Sequence, residues 1–207
     1  MDPYLFIFIF FLLLFIEKHI NIFLRNRFIR RYVFSESLFD KISETYPDLT
    51  QQDLELVTQG LRQFFIVCNK ANNKMVAMPS RIVDVAWHEF ILHSRDYHFF
   101  CRHGYGRHLH HSPFLKTNAP EIISDSLKRA WYYACEIENI DSRKPSRIPL
   151  LFCIDTQLNI ADGNRFSLEI VNQVNQNKYD SVLNVDQLFD CASDAGGCGS
   201  CGGCGGG

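Results

Sequence analysis

Apolar residues form two patterns along the 207-residue chain: one unbroken block near the start and, after it, positions spaced at helical intervals. Tyr4 to Ile16 are thirteen consecutive apolar residues, and the character resumes at Ile20, Ile22, Phe23 and Leu24 after Glu17, Lys18 and His19. A bilayer crossing needs about 20 helical residues. Counting to Leu24 meets that length, with the Glu17-Lys18-His19 patch snorkelling or seated in the headgroup layer. Asp2 is the one charge before the block, and no small-residue cleavage site follows it. A retained transmembrane helix is therefore expected rather than a cleaved signal peptide. A Phe-rich helix buried in a soluble core, or lying in the membrane interface, is the other reading of these thirteen residues.

Downstream, the spacing predicts helices. Ser35-Glu36-Ser37-Leu38-Phe39 opens a short one that Pro47 stops. Thr50 begins a longer one, with Leu54, Val57, Leu61, Phe64 and Phe65 on one face up to about Lys70, and Asn72-Asn73-Lys74 reads as a turn. Met78-Pro79-Ser80 starts a third, because Pro suits a first helical position and Ser a cap. It is expected to run to about Arg102 before Gly104 ends it, with Val83, Ala86, Trp87, Phe90, Ser94, Tyr97 and Cys101 as its apolar face. A fourth begins near Ala119-Pro120-Glu121, turns Ile123, Leu127, Ala130, Trp131 and Ala134 inward, and finishes near Ile137. After Arg147 the run Ile148 to Ile160 is apolar and of strand length, followed by the turn residues Ala161-Asp162-Gly163-Asn164. One minor β element is expected there. Residues 165–190 are polar, with one weak helix around Val182–Phe189, and no repeat of solenoid period is visible.

Composition divides the chain into three. Nine of the 18 Phe lie in the first 39 residues, eight of the 12 Gly in the last twelve, and four of the eight Cys in the last seventeen. The expected organisation is thus a membrane anchor with basic flank over 1–31, a compact, mainly α-helical domain over 32–190, and a disordered Gly/Cys-rich tail over 191–207. Lys18, Arg25, Arg27, Arg30 and Arg31 all follow the apolar block and no Lys or Arg precedes it. The positive-inside rule then puts the N-terminus outside and the rest of the chain in the cytoplasm. Residues 32–207 carry 16 Lys and Arg against 21 Asp and Glu, a net charge of −5 that does not invite a nucleic acid. In the tail, Cys198, Cys201 and Cys204 have C-x2-C-x2-C spacing after Cys191. That spacing can wrap a soft metal or an iron–sulfur cluster, and deletion of 191–207 tests it; a low-complexity tail is the default, since closing so flexible a chain around an ion costs entropy. Cys68, Cys101, Cys135 and Cys153 stand singly among apolar residues and read as buried small hydrophobes.

Seven of the eight His lie between 88 and 111. His88, His93, His98, His103 and His108 recur every five residues, a step of about 140° on a helix, so they do not form one ligand stripe. Asp84 and His88 are i, i+4, and Arg95 lies two turns further along the same strip. A chain that folds back after Gly104 and Gly106 returns His110 and His111 toward them. One carboxylate with two or three imidazoles suits a divalent zinc, iron or manganese, or orients a general base for hydrolysis. The plainer reading is a hydrogen-bonded cluster that pins a loop to a helix. His88-Glu89 begins like H-E-x-x-H, but position 92 is Leu and His93 is one residue too far, which rejects a zincin. There is no G-x-S-x-G, no G-x4-G-K-[ST] and no G-x-G-x-x-G, so serine hydrolase, nucleoside triphosphatase and dinucleotide oxidoreductase chemistry have no foothold.

Pro79-Ser80, Asp84, Trp87-His88, Leu92, Tyr97, Phe100-Cys101, Gly106, His110-His111 and Pro113, in that order, resemble the glycine-rich domain-containing protein family and its bacterial relatives. The resemblance extends to Leu151-Phe152-Cys153-Ile154-Asp155 and Asp162-Gly163, and so covers roughly 40–165. It implies a helix with a Trp-His pair followed by Tyr, Cys, Gly and a His-containing loop, with a Gly/Cys-rich C-terminus as in some relatives. It carries over no biochemical activity. Phe90 stands where some relatives have a second His, and the chain has no RNP-type aromatic motif, so the RNA-binding role of some plant members is not transferred. The functional expectation is a membrane-anchored cytoplasmic binding or scaffold module for a protein partner of unknown identity. Its candidate site is Asp84, Trp87, His88, Arg95, Tyr97, His110 and His111, and the alternative is a metal-dependent, hydrolytic enzyme using Asp84, His88, His110 and His111.

Overall fold

The computed structural model describes residues 3–72, 74–111 and 120–168. They form seven helices and, among the described residues, no strand: α1 Pro3–Arg31, α2 Glu36–Thr45, α3 Gln51–Lys70, α4 Arg81–Leu92, α5 Ser94–Gly104, α6 Pro120–Ile137 and α7 Leu150–Gln157. The tail with Cys198, Cys201 and Cys204, the segment 182–189 and Pro113 lie outside the described residues.

α1 has two halves with different surroundings. Among the described side chains from Tyr4 to Leu24, the large apolar ones are exposed, Ile22 only in part. Ile7–Arg31 is long and apolar enough to cross a membrane, and its most apolar 18 residues, of mean hydropathy 2.1, are all unburied. By length and composition a signal sequence near an N-terminus passes the same test. The other half belongs to the domain: Ile29 is fully buried, and Phe28 packs against Phe99 and Phe100 at ring separations of 6.2 and 5.9 Å. Asn69 Nδ2 donates to Asn26 Oδ1 at 2.8 Å, and Arg62 donates through Nε and a terminal nitrogen to Tyr32 O at 3.1 and 2.9 Å. Those two ties, 62 to 32 and 69 to 26, make α3 antiparallel to α1.

α3 is the core of the domain. Its N-terminus is a capping box made by Thr50 and Asp53, and the apolar face named from spacing is buried, but the burial runs further round to Thr58, Gly60, Gln63, Ile66, Val67 and Cys68. A helix with neighbours on all sides must satisfy any polar group it carries inward. Gln63 does so, donating to Glu138 Oε1 at 2.7 Å and accepting from Leu151 N at 3.0 Å. At Gly60 a Cβ would stand 3.0 Å from Val83 and 3.2 Å from Ile154, so its hydrogen lets α4 and α7 close on α3 together.

Two expectations are corrected. The run after Arg147 is the helix α7, not a strand: a short apolar run has no period to tell the two apart, and Pro149 at the cap followed by burial of Leu151, Phe152, Ile154 and Asp155 selects the helix. The helix begun at Ser80 does not reach Arg102. It breaks at His93 (φ −77°, ψ 62°), and α5 starts afresh with Asp96 in its first turn, where a carboxylate complements the helix dipole. The break leaves Ser94 exposed while burying Tyr97, Phe100 and Cys101. α3, α6 and α7 each end two residues before an Asn in the left-handed region, Asn72, Asn139 and Asn159, the residue after Gly best suited to that position.

Candidate functional site

The start of α4 is held from below by Asp155, which is 2% exposed. Its Oδ1 accepts from Ser80 Oγ at 2.6 Å and Ile82 N at 3.2 Å, its Oδ2 from Arg81 N at 2.6 Å and Asn164 N at 2.9 Å. Ser80 Oγ in turn caps Val83 N at 3.2 Å. The free N–H groups of the helix start are thus satisfied by a buried anion and a hydroxyl. The first turn that carries Asp84 is fixed by this arrangement. Spacing alone does not mark Asp155 as its partner, because the two lie about 70 residues apart.

From that turn, Asp84 and His88 project one turn apart. His88 Nδ1 lies 2.8 Å from Asp84 O and 3.5 Å from Asp84 Oδ2. A carbonyl oxygen only accepts, so Nδ1 is the donor in this contact and Nε2 is the nitrogen left outside it. The loop after α5 delivers the third member, with His111 Nε2 3.0 Å from Asp84 Oδ1. The rings of His88 and His111 are 4.1 Å apart, and that of His111 also meets Trp87 at 4.4 Å. One ligand-type atom from each of Asp84, His88 and His111 lies within 4.8 Å of the other two. Side-chain exposure grades across the group from 11% for His111 through 23% for Asp84 to 48% for His88, so one edge faces solvent.

A buried relay holds the loop in place. Trp87 Nε1 donates to Tyr97 Oη at 3.2 Å, and Tyr97 Oη donates to Leu109 O at 2.5 Å. Tyr105 Oη donates to Phe65 O at 2.6 Å. Burial pushes both phenols far above the usual tyrosine range, so they remain donors at every ordinary pH. Trp87 and Tyr97 are thus positioning residues that bring residue 111, two beyond the Leu109 anchor, to Asp84.

Of the residues expected at the site, Asp84, Trp87, His88, Tyr97 and His111 come together. His110 does not: it is exposed, with its ring against that of His108 at 4.8 Å, because consecutive residues of an extended segment point to opposite sides. Arg95 does not either, since the break at His93 removes it from the α4 strip and leaves it exposed on α5. A cavity of about 440 Å³ lies apart from the cluster, lined by Arg30, Gln59, Arg62, Ile66, Glu138 and Leu150 among others.

No curated protein and no solved structure shows significant similarity to the chain. One family model does match, over residues 24–193, a stretch that begins where the exposed apolar half of α1 ends and contains the Asp84 cluster with all its supports. The chain belongs to the UCP032817-like family.

Proposed function

We propose that this protein is a single-pass membrane protein with its N-terminus outside, whose cytoplasmic helical domain is a binding module that holds a divalent metal ion, zinc, iron or manganese, at Asp84, His88 and His111. The observation that carries the metal assignment is the convergence of a carboxylate and two imidazoles from two separate segments within 4.8 Å. Donors about 2.0–2.2 Å from a tetrahedral zinc stand roughly 3.3–3.6 Å from one another, so loading asks the widest pair to close by about 1–1.5 Å. Support for the anchor comes from α1, whose first half exposes large apolar side chains, interrupted by Glu17-Lys18-His19, and whose second half packs into the domain core. Cleavage anywhere before Arg25 leaves that core intact, and it is the missing cleavage site and the basic residues after the apolar block that favour retention and an inward domain. Kinship with the glycine-rich domain-containing proteins, carried by Pro79 to Pro113, belongs to the same reading.

A second reading, metal-dependent hydrolysis, is favoured by three protein donors beside a half-exposed His88, an arrangement that leaves a coordination position for water. One experiment addresses both. The full chain is purified in detergent and its metal content measured by elemental analysis, then its melting followed on adding zinc, iron or manganese, for wild type, His88→Ala, His111→Ala and, as control, His110→Ala. Stoichiometric metal in wild type and His110→Ala, lost in the other two, is expected. Absence of stoichiometric metal together with unchanged melting refutes both readings. Alkaline carbonate extraction of membranes tests the anchor separately, since release into the supernatant refutes it.

A further inference from the structure

We infer that the end of the domain nearest the apolar half of α1 is a docking surface for anionic phospholipid headgroups, built from the α3–α4 turn and the loop after α5. The inference rests on α1 crossing the bilayer.

α3 runs antiparallel to α1, so its C-terminal end rises toward the apolar half, and α5 packs its C-terminal half on Phe28 and Ile29. On α3, Arg62 meets Tyr32 and Asn69 meets Asn26. On the α5 side, the hydrogen of Gly104 faces Ile29 and Phe28, and two residues on, Gly106 faces the Arg25 guanidinium. Gly106 thus lies within reach of the Arg25 side chain, two residues past the end of α5. Gly106 sits at φ +70°, and a Cβ there would stand 2.5 Å from the guanidinium nitrogen, so the Arg25 side chain lies against the loop backbone. Arg25 is the first residue after the apolar stretch ends at Leu24, which is the depth of the headgroups. Lys74, just past the end of α3, and Arg102 and Arg107, either side of the α5 terminus, are all exposed.

Charge is sorted to match. The three segments that meet here, 18–35, 69–80 and 97–111, carry nine of the 21 Lys and Arg and not one Asp or Glu, in a chain whose net charge is −2. The carboxylate of Glu136 reaches this end, 2.8 Å from Lys70, which leaves Lys74, Arg102 and Arg107 to the membrane. Basic residues outnumber the carboxylates at this end, where Glu136 and the exposed Asp125, next to the Ser126 whose carbonyl accepts from Ala77 N, are the acidic neighbours, and each basic residue at an anionic surface strengthens its association by about fivefold.

The test uses the full chain in nanodiscs of phosphatidylcholine alone or phosphatidylcholine with phosphatidylserine, read by hydrogen exchange. Exchange over 102–110 and 71–76 slows in the phosphatidylserine discs, by roughly an order of magnitude. High salt reverses the slowing. The turn at 46–50 leads into the N-terminus of α3, about 30 Å away along that helix, and does not change. In the variant Lys74→Gln/Arg102→Gln/Arg107→Gln, three exposed changes that leave the core untouched, the dependence on phosphatidylserine is lost. Equal exchange in the two lipids, or slowing that persists in the variant, overturns the docking surface while leaving the anchor standing. Release of the chain by carbonate overturns the anchor, and the docking surface with it.

Discussion

Replacing Asp155 by Asn removes the charge that holds the start of α4 and changes almost nothing in volume. The carboxylate accepts four hydrogen bonds at 2.6–3.2 Å, three of them from backbone N–H groups. An amide has one oxygen, and its orientation is decided by the neighbours. Turned so that the oxygen replaces Oδ2, it keeps Arg81 and Asn164, while its NH2 meets the Ser80 hydroxyl, which can turn to accept; only the 3.2 Å bond from Ile82 N is orphaned. Turned the other way, it aims NH2 at two backbone donors. Even in the better orientation, three bonds fall from the charge-assisted to the neutral range and one buried N–H is left unmet, which together costs about 3–5 kcal/mol. Against a total of about 5–15 kcal/mol this is a large fraction, and it lowers the melting temperature by roughly 10 °C. The assay is thermal or urea unfolding of the full chain in detergent, followed by the fluorescence of Trp87 and Trp131, both in the helical domain. A loss below about 1 kcal/mol would refute the view that Asp155 organises this helix start.

Three further outcomes follow from neighbouring features. Gly163→Ala would place a Cβ 2.7 Å from Asp155 Cβ and 3.1 Å from Ile160 O, neither of which is a flexible tip, so a destabilisation of about 1–3 kcal/mol is expected in the same unfolding assay. Tyr97→Phe leaves Trp87 Nε1 and Leu109 O without their partner, costing about 1–3 kcal/mol, and frees the loop that carries His111; zinc affinity, measured by competition with a chromogenic chelator, should fall although no proposed ligand has changed. At high pH, burial holds the Cys135 thiol up at about 12 and pushes Cys68, Tyr97 and Tyr105 up as well. The folded chain keeps protons that the unfolded chain releases from about pH 8.5 upward, so this stability is complete below that pH and is lost as pH rises toward the folded values. Denaturant midpoints should be flat from pH 7 to about 8.5 and decline above it, and a rising midpoint would contradict the burial of these groups.

Local signals in the sequence read well where the cause is local. Thr50 with Asp53, Ser80 with Pro79, and Pro120 each open the helix their chemistry favours, and Asp84 with His88 one turn later is a pair any helix would create. The return of a histidine to that pair is legible too, because Gly104 and Gly106 permit the reversal. Which histidine returns is not, since the choice between His110 and His111 depends on the Leu109 carbonyl being caught by Tyr97. The helix at Leu150–Gln157 was hidden because its apolar residues face neighbours nearly all round, which erases the period that distinguishes helix from strand. The break at His93 had a signal in Ser94 and Asp96, a fresh helix start lying inside what looks like one continuous stripe. Asp155 was present in the resemblance but mute as to role, because its partners are main-chain groups far away in sequence.

α1 passes from its exposed half into the domain core as one helix of 29 residues, with no glycine or proline between Tyr4 and Arg31 to act as a hinge. Most anchors are tethers, and the domain beyond them tumbles. On the proposed reading, the rod placed in the bilayer is the same rod that Phe99, Phe100 and Asn69 grip, so a tilt imposed by the lipid thickness would pass to the domain that carries the Asp84 cluster. An anchor of this kind would give the site an address on the membrane and also a bearing, a set direction and height above the surface that a partner in the same membrane would meet in one pose.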